Sequence, residues 1–239
     1  MADTASTSTV PVRVASFALC AGVGVFLARA VLAIPEDEPG VAPLVEAALP
    51  YSGVKNPVTA VLLNFRGYDT LLEIAVLVLA TIGVLSLAVG RAEVLPRVAE
   101  RADPVLSALA RFLAPVMVLI SGYLLWVGEF GPGGAFQAGS VIGAAGVLLA
   151  LSGHARLSWM SGFALRVMTG VGFVVFLGTA IGSMLASGML LEYPPGMAKD
   201  LIVVIEVWLT LSIGAILISL FLASATPVEE LRGRMEEHR

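Results

Sequence analysis

Six separate stretches of this 239-residue chain each run for about eighteen residues or more with hardly a charge, and that pattern leaves few folds open. They lie at about 13–34, 70–90, 107–128, 136–153, 163–187 and 201–225. A helix of that length covers a hydrocarbon core of roughly 30 Å and satisfies its own backbone where water cannot. Composition agrees: 58% of residues are hydrophobic and 13% charged, whereas a soluble domain carries about 25% charge. The expected fold class is an all-α integral membrane protein with about six transmembrane helices. The formal net charge of −4 gives no reason to expect a nucleic-acid partner. Cys20 is the only cysteine, so an internal disulfide is impossible and a Cys-ligated metal cluster has no basis.

Residues Ala92–Asp103 are charged, contain Pro96, and divide the runs into two groups. The expected modules are 1–95 with two transmembrane helices, a cytoplasmic linker at 96–106, 107–225 with four helices, and a charged tail at 226–239. Within the first module, the apolar Pro57–Phe65 is too short to span and is expected to be a re-entrant or interfacial segment before helix two. The first run offers the small-residue cleavage pattern Ala28-Arg29-Ala30. Its length and the polar Met1–Pro11 leader without a basic cluster favour a retained anchor. Ten of the fourteen Lys and Arg fall on one side of this layout, leaving Arg29, Lys55, Arg66 and Lys199 on the other. By the positive-inside rule both termini are expected in the cytoplasm, with the first, third and fifth connections outside. No internal repeat is visible, which weighs against an inverted-repeat carrier acting alone.

Acids inside such runs demand a reason, because a charged residue at mid-membrane costs roughly 2.5–3.5 kcal/mol. Glu73 stands among Leu71, Leu72 and Ile74, one turn beyond Asp69-Thr70, which read as a helix N-cap pair. Arg66 and Asp69 read as a local ion pair. Glu206 lies about 9 Å deeper than Asp200 at the rise of an α-helix, with Thr210 one turn on and able to share a proton or water with it. Glu206 serves equally well as a carboxylate held by hydrogen bonds between helices. Gly131-Pro132-Gly133-Gly134 forms a tight turn between the third and fourth runs, flanked by Glu129 and Gln137. A bare backbone between such residues can offer carbonyls and amides to water or an ion. Gly139-x-x-x-Gly143 and Gly178-x-x-x-Gly182 read as close helix-packing faces. His154 and His238 lie in polar connections. No nucleophile–base pair, phosphate-binding loop or metal-ligand cluster is present, so no enzymatic site, cofactor or metal is expected.

Both modules resemble known families. Asn56-Pro57-Val58-Thr59-Ala60-Val61 and Phe65-Arg66-Gly67-Tyr68-Asp69-Thr70-Leu71-Leu72-Glu73 resemble the MbhE family of membrane-bound hydrogenases, which is similar to the C-terminal extension of MrpA. Residues about 104–225, with Gly131-Pro132-Gly133-Gly134-Ala135-Phe136-Gln137-Ala138-Gly139, resemble the MnhB/MrpB (MbhF-like) subunit of Mrp-type sodium/proton antiporters. The sequence departs from the family patterns at Asn64, Leu72, Glu129-Phe130 and Ala135, which moves acidic charge from position 64 to position 129. The resemblance implies a fusion of two neighbouring subunits, located in a prokaryotic cytoplasmic membrane. It implies partners of the MrpA/MrpD-like, MrpC-like and smaller subunit types, with Na+ or H+ as the ion. Glu73 matches an acid on the ion route and Arg66 and Asp69 its flanking pair, while Glu206 matches an acid of the last helix. With Glu129, these are the expected ion-pathway residues. The alternative is a purely structural subunit that joins antiporter-like subunits of a complex I-related or hydrogenase complex.

Overall fold

The computed structural model describes residues 9–34, 40–88, 103–153, 162–194 and 196–224, and all regular structure among them is helical. The expected linker lies largely outside the described residues, and the expected tail, His154 and His238 entirely so. The chain forms two compact units divided between Pro43 and Leu44. The first contains α1 (Thr9–Leu32), 24 residues long. Its last turn carries Arg29, the sign that suits a helix C-terminus.

The second unit begins within α2 (Ala42–Ala48) and a 3-10 turn at Leu49–Tyr51. Next come α3 (Pro57–Ala60) and a π turn at Val61–Phe65. Then follow α4 (Gly67–Ala88), α5 (Pro104–Val127), α6 (Ala135–Leu151), α7 (Gly162–Ser187) and α8 (Ala198–Ser224). Local chemistry sets several of these boundaries. The Asp103 side chain accepts the Val105 N–H at 2.8 Å, and Pro104 takes the first helical position of α5, where no N–H is needed. Asn56 and Pro57 open α3 in the same way, with the Val58 N–H donating to Asn56 at 3.1 Å.

Five described helices are long and apolar enough to cross a membrane. The sixth apolar helix, α6, has 17 residues instead of the expected 18 or more, because the chain turns away at Ser152 and at Gly153, whose φ is +71°. The centre of the unit is α8: 61% of its most apolar stretch is buried, against 17–28% for α4, α5 and α7. It packs on α6, α7 and α4. On α6, a Cβ at Gly139 would come within 2.8 Å of Ile213, and one at Gly143 within 2.9 Å of Leu217. Gly172 of α7 makes the same close approach to Ser212. Gly139 and Gly143 therefore do the packing expected of them. Gly178 and Gly182 pack against nothing within this chain, since a Cβ there would meet none of its atoms within 4 Å. The buried stripe of α7 runs through Thr169, Phe176, Ala180 and Ser183, and Gly178 and Gly182 lie off it.

The segment Pro57–Phe65 is helical, with Thr59, Ala60 and Leu63 buried against the rest of the unit. At its end Arg66, with φ −129° and ψ 33°, breaks the helix before α4 begins at Gly67. Asp69-Thr70 is therefore not the cap of α4. Asp69 pairs with Arg66, and the Thr70 hydroxyl donates to the Leu62 carbonyl. Glu73 consequently stands in the second turn of α4, not the first.

Candidate functional site

A cavity of about 230 Å³ lies between the α3–π segment, α4, the start of α6 and α8, and both Glu73 and Glu206 line it. Thr59, Thr70, Gln137 and the backbone of Gly133 and Gly134 supply its other polar surface, with leucines and Phe136 closing the remainder.

The two carboxylates are held differently. Glu206 is 6% exposed and points at the N-terminus of α6, where the Ala135 N–H donates to it. The first N–H groups of a helix have no partner inside it, and the macrodipole there favours an anion. Gly134, the residue before α6, has φ +107° and ψ −174°, a conformation glycine alone adopts readily. A Cβ on it would sit 2.9 Å from Glu206 Oε1. Thr210 does not share a proton with the Glu206 carboxylate, since its hydroxyl donates to the Glu206 backbone carbonyl one turn back, at 2.8 Å. Glu73, by contrast, is exposed at the outer side of α4 and makes no hydrogen bond or ion pair among the described residues. Leu71 and Ile74 turn inward, whereas Leu72 and Glu73 turn outward, so the expected apolar surround of Glu73 is only half supplied by this chain.

The turn after α5 is fastened by the segment before α3. Asn56 Nδ2 donates to the carbonyls of Gly128 at 3.2 Å and Gly131 at 2.6 Å, and Thr59 Oγ1 donates to Gly128 at 2.7 Å. The N–H groups of Lys55 and Asn56 both donate to the Glu129 carbonyl, at 3.1 and 2.9 Å. The carbonyls of Gly128, Glu129 and Gly131 are thus engaged within the protein, while the backbone of Gly133 and Gly134 faces the cavity. The Glu129 side chain accepts from Lys199 Nζ at 2.6 Å. Lys55 stands over the Phe130 ring, 5.5 Å from its centroid.

Of the residues singled out in the sequence, the cavity brings together Glu73, Glu206, Gly133 and Gly134. Glu129 is engaged by Lys199, and Gly131 and Pro132 belong to the turn but not to the cavity lining. The Arg66–Asp69 pair forms as expected, yet it sits on the surface, with 70% and 54% of the two side chains exposed. Two side chains that hold the Leu62–Leu63 wall of the cavity were not legible as such in the sequence. Thr70 looked like half of a cap. Tyr193, whose hydroxyl donates to the Leu63 carbonyl at 2.7 Å, carried no local signal at all. Burial pushes the Tyr193 phenol up, so it remains a donor throughout the physiological range.

Residues 105–226, which contain α5 to α8, match the family described as a domain related to the MnhB subunit of Na+/H+ antiporter. This chain belongs to that family. Residues 11–92 match a second family, MbhE of MBH, so an MbhE module is fused to an MnhB module in one polypeptide. Among solved structures, the chain is similar to one from the membrane-bound sulfane sulfur reductase, an archaeal respiratory membrane complex. The two share 25% identity and a TM-score of 0.68 over 88% of this chain and 97% of that one. It has the same fold as part of a chain in the Mrp complex from Dietzia sp. DQ12-45-1b, with 22% identity, a TM-score of 0.67 and coverage of 93% of this chain and 26% of that one. None of the curated proteins matches it. The chain is therefore a multi-pass membrane subunit of an Mrp-type antiporter or a related multi-subunit complex, and it works with other membrane subunits. Glu73 comes from its MbhE region and Glu206 from its MnhB region, so the cavity lies where the two modules meet.

Proposed function

We propose that this subunit carries cations, Na+ or H+, through the cavity between its two modules, with Glu73 and Glu206 as the groups that receive them. One observation supports this above all: two carboxylates from different modules line one cavity, and one of them, Glu73, is also exposed on the surface of this chain. An acid left without a partner at membrane depth is costly, so the exposed Glu73 calls for a neighbouring subunit that completes the path. Larger antiporter-like subunits of the MrpA/MrpD type, with MrpC-like and smaller ones, suit that role. In this reading the chain has no catalytic site of its own. The basic-residue bias puts both termini on the cytoplasmic side of a prokaryotic cytoplasmic membrane, and the module boundary falls within 96–106. Glu129 stands at the outer end of the same path, held by Lys199, while Arg66 and Asp69 form a polar pair beside it.

The second reading, a purely structural subunit, has its own support. Glu206 caps α6, and Asn56 with Thr59 fastens one module to the backbone of the other. Glutamine substitutions separate the two, because the amide oxygen still accepts a hydrogen bond but the group neither exchanges a proton nor balances a cation. In membrane vesicles holding the whole complex, Glu73→Gln should leave assembly intact and reduce cation-dependent proton movement by about tenfold or more. Asp200→Asn, near the surface, should change little, and Glu206→Gln should fall between them. A Glu73→Gln complex that assembles and transports normally would establish the structural reading instead.

A further inference from the structure

The π turn Val61–Phe65 forms one wall of the cavity through Leu62 and Leu63, and it ends abruptly at Arg66. The last carbonyls of a helix lack partners inside it, and in an apolar setting they need donors from elsewhere. Two of these carbonyls have side-chain donors from different elements. Leu62 accepts from the Thr70 hydroxyl of α4 at 2.6 Å, and Leu63 accepts from the Tyr193 hydroxyl of the α7–α8 connection at 2.7 Å. Thr70 is 2% exposed and precedes Glu73 by three residues, so the two are neighbours on successive turns of α4 and both line the cavity. A bond that ties Thr70 to the π turn therefore also sets the rotation of α4 at Glu73. Tyr193 holds the adjacent carbonyl, so two successive carbonyls of the turn are tied to two different elements.

We propose that Thr70 and Tyr193 are positioning residues, whose hydroxyls lock the π turn into the cavity wall and fix the angle at which α4 presents Glu73. The proposal rests on the reading of Glu73 as an ion-receiving group, but its test does not depend on transport alone. In the intact complex, Glu73 would be labelled with dicyclohexylcarbodiimide and the modified peptide quantified by mass spectrometry, alongside cation-dependent proton movement. Thr70→Val keeps the shape and removes the donor; it should change Glu73 labelling severalfold and depress transport. Thr70→Ser keeps the donor and should restore both. Tyr193→Phe should shift labelling in the same direction as Thr70→Val, and it tests the idea on its own should the valine variant fail to assemble. Wild-type labelling in assembled Thr70→Val and Tyr193→Phe complexes would overturn the proposal and leave the hydroxyls as mere caps. If labelling shifts as expected while Glu73→Gln transports normally, positioning stands and the ion-path reading is what fails.

Discussion

A carboxylate at a helix N-terminus needs room as well as donors, and Gly134 supplies the room for Glu206. Two costs would fall together on Gly134→Ala: a backbone with φ +107° that an L side chain rarely adopts, and a Cβ 2.9 Å from the Glu206 oxygen. Strain of this kind amounts to about 1–3 kcal/mol. We expect Gly134→Ala to lower the thermal midpoint of the purified complex clearly, whereas Gly131→Ala, where a Cβ meets nothing within 4 Å, should cost little. Equal midpoints for the two variants would show that the Glu206 cap contributes nothing to the fold. The pair Lys199–Glu129 adds to this: the glutamate side chain is only 16% exposed, so Lys199→Met, which leaves that carboxylate without its partner, should lower the midpoint as well.

At the level of elements, the clasp between the α3 segment and the α5–α6 turn rests on a single side chain more than on any other. Asn56 receives the Val58 N–H and donates to two carbonyls of the turn. Asp at this position would keep the helix cap but lose both donors and set an anion against two carbonyl oxygens. Each buried polar group left unpaired costs about 1–3 kcal/mol. Asn56→Asp should therefore destabilise the complex more than Thr59→Val, which removes only one donor, and differential scanning of the two variants checks the order. The positions of the long helices were legible within a few residues because hydrophobicity over some twenty residues is a local signal. The start of α4 was not, because Thr70 spends its hydroxyl on a carbonyl eight residues back instead of on its own helix.

For the whole molecule, the Asn56–Gly131 and Glu129–Lys199 bonds put the α3, α5–α6 and α7–α8 connections at one end of the second unit. Single cysteines at the exposed Tyr51, Pro132 and Glu192, in a Cys20→Ser background, should thus react from the same side of the membrane. The bias of basic residues makes that side the outer one, and a cysteine replacing Arg239 should be protected in intact cells. Labelling of the tail from outside would reverse the orientation and move the acid cluster to the other face. The exposure of Glu73 carries a second expectation: the reconstituted subunit alone should show no cation-dependent proton movement, and activity should return only with its partner subunits.

Length and apolarity of the runs, the family of each module and the identity of the unusual acids were all readable from the chain by itself, because each is written in contiguous residues. That Glu73 and Glu206 meet across one cavity was not. Helix α8 is apolar on nearly every side, so its pattern does not say which face receives Glu206; packing against the glycines of α6 and α7 decides that. Likewise nothing near Glu129 announces Lys199, and nothing near Leu63 announces Tyr193, 130 residues away. Such pairs arise only when close helix packing brings distant segments together, and only then does Asn56 take the Gly131 carbonyl while the backbone of Gly133 and Gly134 is left facing the cavity.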